Sequence, residues 1–240
     1  MAKQSWKPGN MLYPLPAVLV STADKKGGTN LFTVAWTGTI CSDPPMVSIS
    51  VRPERYSYSM IVETGEFVIN LTTEELTYAT DYCGVKSGRD VDKWKEVKLT
   101  PVKADKVQAP LVAESPVNLE CRVTRRIPLG THDMFLAEVV AVHADEAYMD
   151  EKEKFSLAKA NPMVYSHGTY YGLGKELGTF GSSVRKKYRF MKHYSSYYKR
   201  LHVRRIKIAV LAVIVSMFFL PVFVKFERSG DNMFRVLLDG

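Results

Sequence analysis

Three stretches of the sequence hold the residues best able to do chemistry, and the first runs through residues 30–59. It ends in Ser57, at the head of a helix expected over residues 56–64, with Arg52 and Arg55 just before it. A helix N-terminus offers free N–H groups and a partial positive charge, so a hydroxyl and two guanidinium groups there make a phosphate seat. The same residues also fit a plain N-cap serine beside two solvated arginines. The second stretch, residues 83–94, contains the polar loop Ser87-Gly-Arg-Asp-Val-Asp-Lys93. Its lysine could close on the same phosphate as a point charge, or simply be solvated. The third, Leu129-Gly-Thr-His-Asp-Met-Phe135, puts His132 in a tight turn between two strands. A lone turn histidine can equally be incidental.

Other chemistries lack their patterns. No second histidine stands at ligand spacing, so no metal site is expected. The sequence has no GxGxxG, no GxxxxGK[ST] and no GxSxG, which removes the Rossmann, P-loop and nucleophile-elbow readings.

The elements that must position these residues are mostly strands. Residues 17–22, 30–39, 46–51, 67–71, 117–123 and 135–142 are rich in β-branched or aromatic side chains, several with strict alternation. Val117, Leu119, Cys121 and Val123 fall on one face. Gly, Pro and Asp break the series, as in a closed or sandwiched antiparallel sheet. Short helices are expected over residues 56–64 and 73–83, the second with Glu74 and Glu75 in its first turn. No internal repeat is visible.

The 240 residues are 46% hydrophobic and 24% charged, an ordinary globular composition with enough chain for a sizeable core. The net charge of +8 is uneven. Residues 185–207 carry ten basic side chains and no acid, residues 225–240 carry three of each sign, and residues 1–184 carry 20 basic against 22 acidic. The folded domain is therefore mildly acidic, and no nucleic-acid partner is expected. Cys41, Cys83 and Cys121 form no CxxC pair and are expected to be small buried hydrophobes in a reducing, cytoplasmic compartment.

Residues 208–224 are 17 uncharged residues with Pro221 near their end. At 1.5 Å per residue they reach the lower limit of a transmembrane helix, about 26 Å. The basic, tyrosine-rich residues 188–207 precede them, so the positive-inside rule puts the first domain in the cytoplasm and residues 225–240 outside. The expectation is a membrane anchor with a single C-terminal span.

Taken together, Asp43-Pro-Pro-Met-Val47, Gly65-Glu-Phe-Val-Ile-Asn70, the Cys-Gly…Ser-Gly-Arg…Asp-Lys loop of 83–93 and the Gly-x-His-Asp turn of 130–133 resemble the flavin reductase-like, FMN-binding split-barrel family. Within it the flavoredoxins are the nearest likeness. The resemblance covers about residues 8–187 and implies a mainly β, Greek-key split β-barrel with short helices over 1–187. It implies that Asn30 bonds the flavin or its ribityl chain, Trp36 packs near the isoalloxazine, and Ser57 and Lys93 hold the phosphate. His132 would approach the ring from the other side of the pocket, and Tyr165 would stack at its edge. It further implies a homodimer with FMN at the interface, reduced by NADH or NADPH or by a protein redox partner. The implied activity is reduction of flavin or a small acceptor, or else non-enzymatic electron transfer between proteins. Residues 188–240 match nothing in that family, and read either as a true tether or as a second reading frame joined to the first.

Overall fold

The computed structural model describes residues 2–184. The chain divides into two compact units, Met1–Lys175 and Glu176–Gly240. Of the second, residues 176–184 are described and contain no helix or strand.

The first unit is built on seven antiparallel strands. After the short β1 (Leu15–Pro16) come β2 (Val18–Ala23) and β3 (Thr29–Val34). Their hairpin is closed by Asp24, whose Oδ1 accepts from the Lys26 and Gly28 N–H groups at 2.8 Å each. A second hairpin joins β4 (Thr37–Ser42) to β5 (Pro45–Val51). Helix α1 (Tyr56–Thr64) follows and stops at Gly65, which adopts φ 70° and donates its N–H to Ile61 O. A left-handed residue at that position satisfies an orphan carbonyl at a cost only glycine avoids. Then come β6 (Glu66–Asn70), α2 (Thr77–Val85), α3 (Lys93–Val97) and the two-residue strands β7 (Pro101–Val102) and β8 (Leu111–Val112). The long strands β9 (Val117–Pro128) and β10 (Asp133–Ala144) and the hairpin β11 (Met163–Ser166) to β12 (Thr169–Gly172) complete the set. The main sheet has the order β3-β2-β6-β9-β10-β5-β4, and a small sheet has the order β1-β11-β12.

The sheet curls until its two edges meet, because its apolar faces must bury one another. Val20, Phe32, Ile49, Val51, Phe67 and Phe135 share one interior. The edge strands β3 and β4 are consecutive in the chain, so Ala35 and Trp36 cross the seam, and Trp36 O accepts from Ser50 N at 2.9 Å. This is the expected split barrel with short helices. It also corrects one detail: residues 30–39 are two strands, not one, because the chain must pass from one edge of the sheet to the other.

β2 is buried along its whole length. Val18 and Val20 face the barrel, while Leu19 packs outward with Leu31, Ala79, Cys83, Trp94 and Val97 beneath α2 and α3. The helix expected over 73–83 is a 3₁₀ turn at Glu74–Leu76 running into α2. Cys83 and Cys121 are buried as expected, but Cys41 is only half-buried, since it lies on edge strand β4.

The crossing segment between α3 and β9 is pinned by a carboxylate. Glu120 is fully buried, and its two oxygens accept from the N–H groups of Asp105 (2.9 Å), Lys106 (2.6 Å) and Val107 (3.1 Å). His143 Nε2 lies 2.6 Å from the same carboxylate. Burial raises the Glu120 pKa, but the Asp105 N–H, His143 and the Lys106 N–H outweigh it and hold the group below its ordinary value.

The structure does not support the expected membrane anchor. Among the described residues no helix is long and apolar enough to cross a membrane. The span proposed for 208–224, with its basic approach 188–207 and the tail 225–240, lies outside the described residues.

Candidate functional site

Two adjoining cavities open at the barrel seam. One, of about 700 Å³, is lined by Asn30, Ser57, Gly88, Arg89 and Lys93. The other, of about 400 Å³, is lined by Trp36, Ser50, His132, Tyr165 and Tyr170. Phe32, Arg52 and Arg55 line both. The six residues named from the sequence thus fall into two groups of three: Asn30, Ser57 and Lys93 in the first cavity, Trp36, His132 and Tyr165 in the second.

Ser57 is not an N-cap. The N-cap of α1 is Arg55, which makes no side-chain capping bond, and no acidic residue stands in the first turn. The Ser57 hydroxyl is buried and accepts from Asn30 Nδ2 at 2.8 Å and Thr22 Oγ1 at 3.0 Å. Thr22 Oγ1 also lies within reach of Asn30 O and Met60 Sδ, so of the three hydrogen bonds a hydroxyl can make, Ser57 has one left for a ligand. Asn30 comes from β3, Thr22 from β2 opposite it, and Ser57 from α1, so the arrangement needs the barrel to form.

Lys93 begins α3, whose cap is Asp92, accepting from Lys95 N. Its side chain is not solvated: the residue is 3% exposed, and Nζ donates to Cys83 O at 2.9 Å. Burial pushes the Lys93 amine down to about 8; Cys83 acts against the shift and Arg55 with it. An ammonium has three protons to donate, so a buried one with a single carbonyl partner is underpaired and suited to an anion.

Gly88 makes the close approach possible. A Cβ there would overlap Asn30 Oδ1 and stand 2.7 Å from both Asn30 Cγ and Tyr56 Cδ1. Gly88→Ala is expected to lose about 1–3 kcal/mol of stability, the usual scale for overpacking. A thermal melt checks this, and a flavin titration of the same variant should show weakened binding, because the displaced loop carries Arg89 and leads into Lys93.

The second cavity is aromatic. The Trp36 and His132 rings lie 4.4 Å apart between centroids. Burial lowers the His132 pKa, Arg52 and Arg55 lower it further, and Glu54 opposes them, so the imidazole is neutral near pH 7. Thr131 Oγ1 lies 2.9 Å from its Nδ1. Tyr165, on β11, is paired with Leu15 of β1, and its ring lies 5.5 Å from that of Tyr170 between centroids, tilted by 57°. Tyr170 reaches Asp81 Oδ1 at 3.3 Å, and burial, with the Asp81 charge next, pushes its phenol up to about 12.

Sequence reasoning missed Thr22, Tyr56, Asp81, Gly88 and Tyr170. Gly88 stood in the quoted Ser87-Gly-Arg loop without a role, and Tyr170 had a local signal: His167-Gly168 between aromatic runs is the mark of a tight hairpin, and both residues adopt positive φ.

One cluster of metal-ligand types exists among the described residues, Asp105, Glu120 and His143, with ligand atoms within 4.8 Å of one another. The lone pairs of Glu120 are already occupied by three N–H groups and His143. The cluster is a clamp on the fold.

Comparison with known proteins gives a consistent answer. The family described as "Flavin reductase like domain" matches residues 11–174. An uncharacterized protein of Archaeoglobus fulgidus is 33% identical over 141 residues, covering 59% of this chain and 78% of its own. The structure is similar to the flavoredoxin of Desulfovibrio vulgaris (Miyazaki F), with TM-score 0.71 and 32% identity over 76% of this chain and 99% of that one. It is also similar to the flavoredoxin of Methanosarcina acetivorans, with TM-score 0.68 and 28% identity over 76% of this chain and 100% of that one. The chain therefore belongs to the flavin reductase like domain family, and its chemistry is flavin-related oxidoreduction or electron transfer.

Proposed function

We propose that the chain binds FMN across the two cavities and reduces flavin or a small acceptor with electrons from NADH or NADPH. The observation that carries this reading is Lys93: a buried ammonium with one carbonyl partner, lining the same cavity as the Ser57 hydroxyl. That donor set fits a phosphate, and the adjoining aromatic cavity suits a flat ring. Ser57, Lys93 and the uncapped start of α1 would hold the phosphate, with Asn30 fixing the Ser57 hydroxyl. Trp36 and Tyr165 would wall the ring, and neutral His132 would offer one N–H without adding charge. The flavin, when bound, supplies the redox chemistry, and the protein supplies position and electrostatics.

A second reading is a non-enzymatic carrier that passes electrons between proteins. The likeness to two flavoredoxins at 32% and 28% identity favours it. Titrating the FMN-loaded protein with NADH, then NADPH, without air separates the two. Bleaching of the flavin band within seconds supports the reductase. A band unchanged by either nicotinamide rules it out and leaves the carrier. A homodimer is part of the proposal: Met11, Leu12, Trp36 and Ile40 are exposed apolar side chains that a second copy would cover. A light-scattering mass of one chain would contradict it.

A further inference from the structure

The cations around the two cavities are not equivalent. Arg55 Nη1 donates to Gly84 O at 3.0 Å, Arg89 Nη1 to Glu54 O at 3.0 Å, and Lys93 Nζ to Cys83 O at 2.9 Å. Arg52 and Lys86 make no side-chain hydrogen bond or ion pair among the described residues, and of these two only Arg52 lines both cavities. Its place follows from the register: Val51 pairs with Asp133, so Arg52, next along the chain, stands beside the turn that carries His132. Glu54 is the nearby acid, and it does not form an ion pair with Arg52. The phosphate seat already has Ser57, Lys93 and the start of α1 in the first cavity. Arg52 is thus an uncommitted guanidinium at the junction of the two cavities, within reach of the ring cavity where the reacting partner of a flavin must enter.

We infer that Arg52, with His132 beside it, forms a subsite for an anionic group, carboxylate or phosphate, on the molecule that exchanges electrons at the aromatic cavity. This rests on the flavin reading. A guanidinium grips either anion through two parallel N–H bonds, which fixes orientation as well as affinity. Trp36 and Tyr165 flank the same cavity, so the group is expected on a flat molecule.

The test uses the full chain loaded with FMN, in wild type, Arg52→Gln and Arg52→Lys. One arm titrates benzoate and benzamide, a flat pair differing in charge, and follows the flavin absorption. The other compares reduction by NADH with reduction by a phosphate-free N-alkyl dihydronicotinamide. A loss of at least tenfold in Arg52→Gln for benzoate but not benzamide, partly restored in Arg52→Lys, supports a carboxylate ligand. The same pattern for NADH but not its phosphate-free analogue supports a dinucleotide phosphate. If Arg52→Gln changes neither charged probe, the inference is overturned while the flavin site stands. It is also overturned if Arg52→Gln weakens FMN itself more than tenfold, since Arg52 then belongs to the cofactor phosphate. Absence of flavin binding in all three proteins is a different failure, that of the flavin reading.

Discussion

Lys93→Met is expected to weaken FMN binding by about 3–5 kcal/mol at pH 7, the scale for removing one partner of a buried charge pair. Riboflavin binding should barely change, because only the phosphate meets the ammonium. Fluorescence titration with both ligands checks this, and equal losses would refute the phosphate assignment. The same substitution should stabilise the protein without flavin. Burial lowers the Lys93 amine from 10.5 to about 8, so holding it charged at neutral pH costs the empty fold on the order of 3 kcal/mol. The sign follows from proton counting. Between pH 8 and 10.5 the unfolded chain binds a proton that the folded one does not, so the stability of the empty protein rises with pH across that window and the penalty is full below it. Binding a phosphate restores the charge. FMN affinity should therefore fall up to about tenfold per pH unit as pH rises above about 8, and riboflavin affinity should not.

Glu120→Ala should severely damage the fold itself. It orphans the N–H groups of residues 105–107 and leaves His143 without its partner. A loss of about 3–5 kcal/mol is expected, the cost of breaking a buried, hydrogen-bonded charge. For a domain of this size that lowers the melting temperature on the order of 10 °C. Because the native carboxyl lies below its ordinary value, its contribution is present above the unfolded pKa and lost as pH falls through the folded one. Glu120→Gln should therefore flatten the acid limb of the stability profile. An unchanged acid limb would mean that Glu120 is not ionised in the native state.

What the sequence revealed and what it hid differ in kind. Strands such as 46–51 and 117–123 were legible because alternation records which face is buried. Their limits were less so: β9 runs on to Pro128, where the exposed Arg125 and Arg126 gave no apolar signal. Ser57 and Lys93 could be named from helix-start and loop chemistry. Their burial could not, since it depends on Thr22, Asn30 and Cys83 arriving from other elements. The break at Trp36 was hidden because a residue crossing a barrel seam has the same composition as one inside a strand. The Glu120 clamp was hidden for a similar reason: a glutamate on the outward face of a strand reads as solvated until residues 105–107 are seen to cover it.

The central claim is that the joined cavities hold FMN by its phosphate. The most direct measurement is the absorption spectrum of the purified full-length protein after incubation with FMN and removal of free flavin. The account predicts one flavin per chain, with bands at roughly 370 and 450 nm as the cofactor brings, and far less retention when riboflavin replaces FMN. A protein that retains no flavin, or that retains riboflavin as well as FMN, would contradict it.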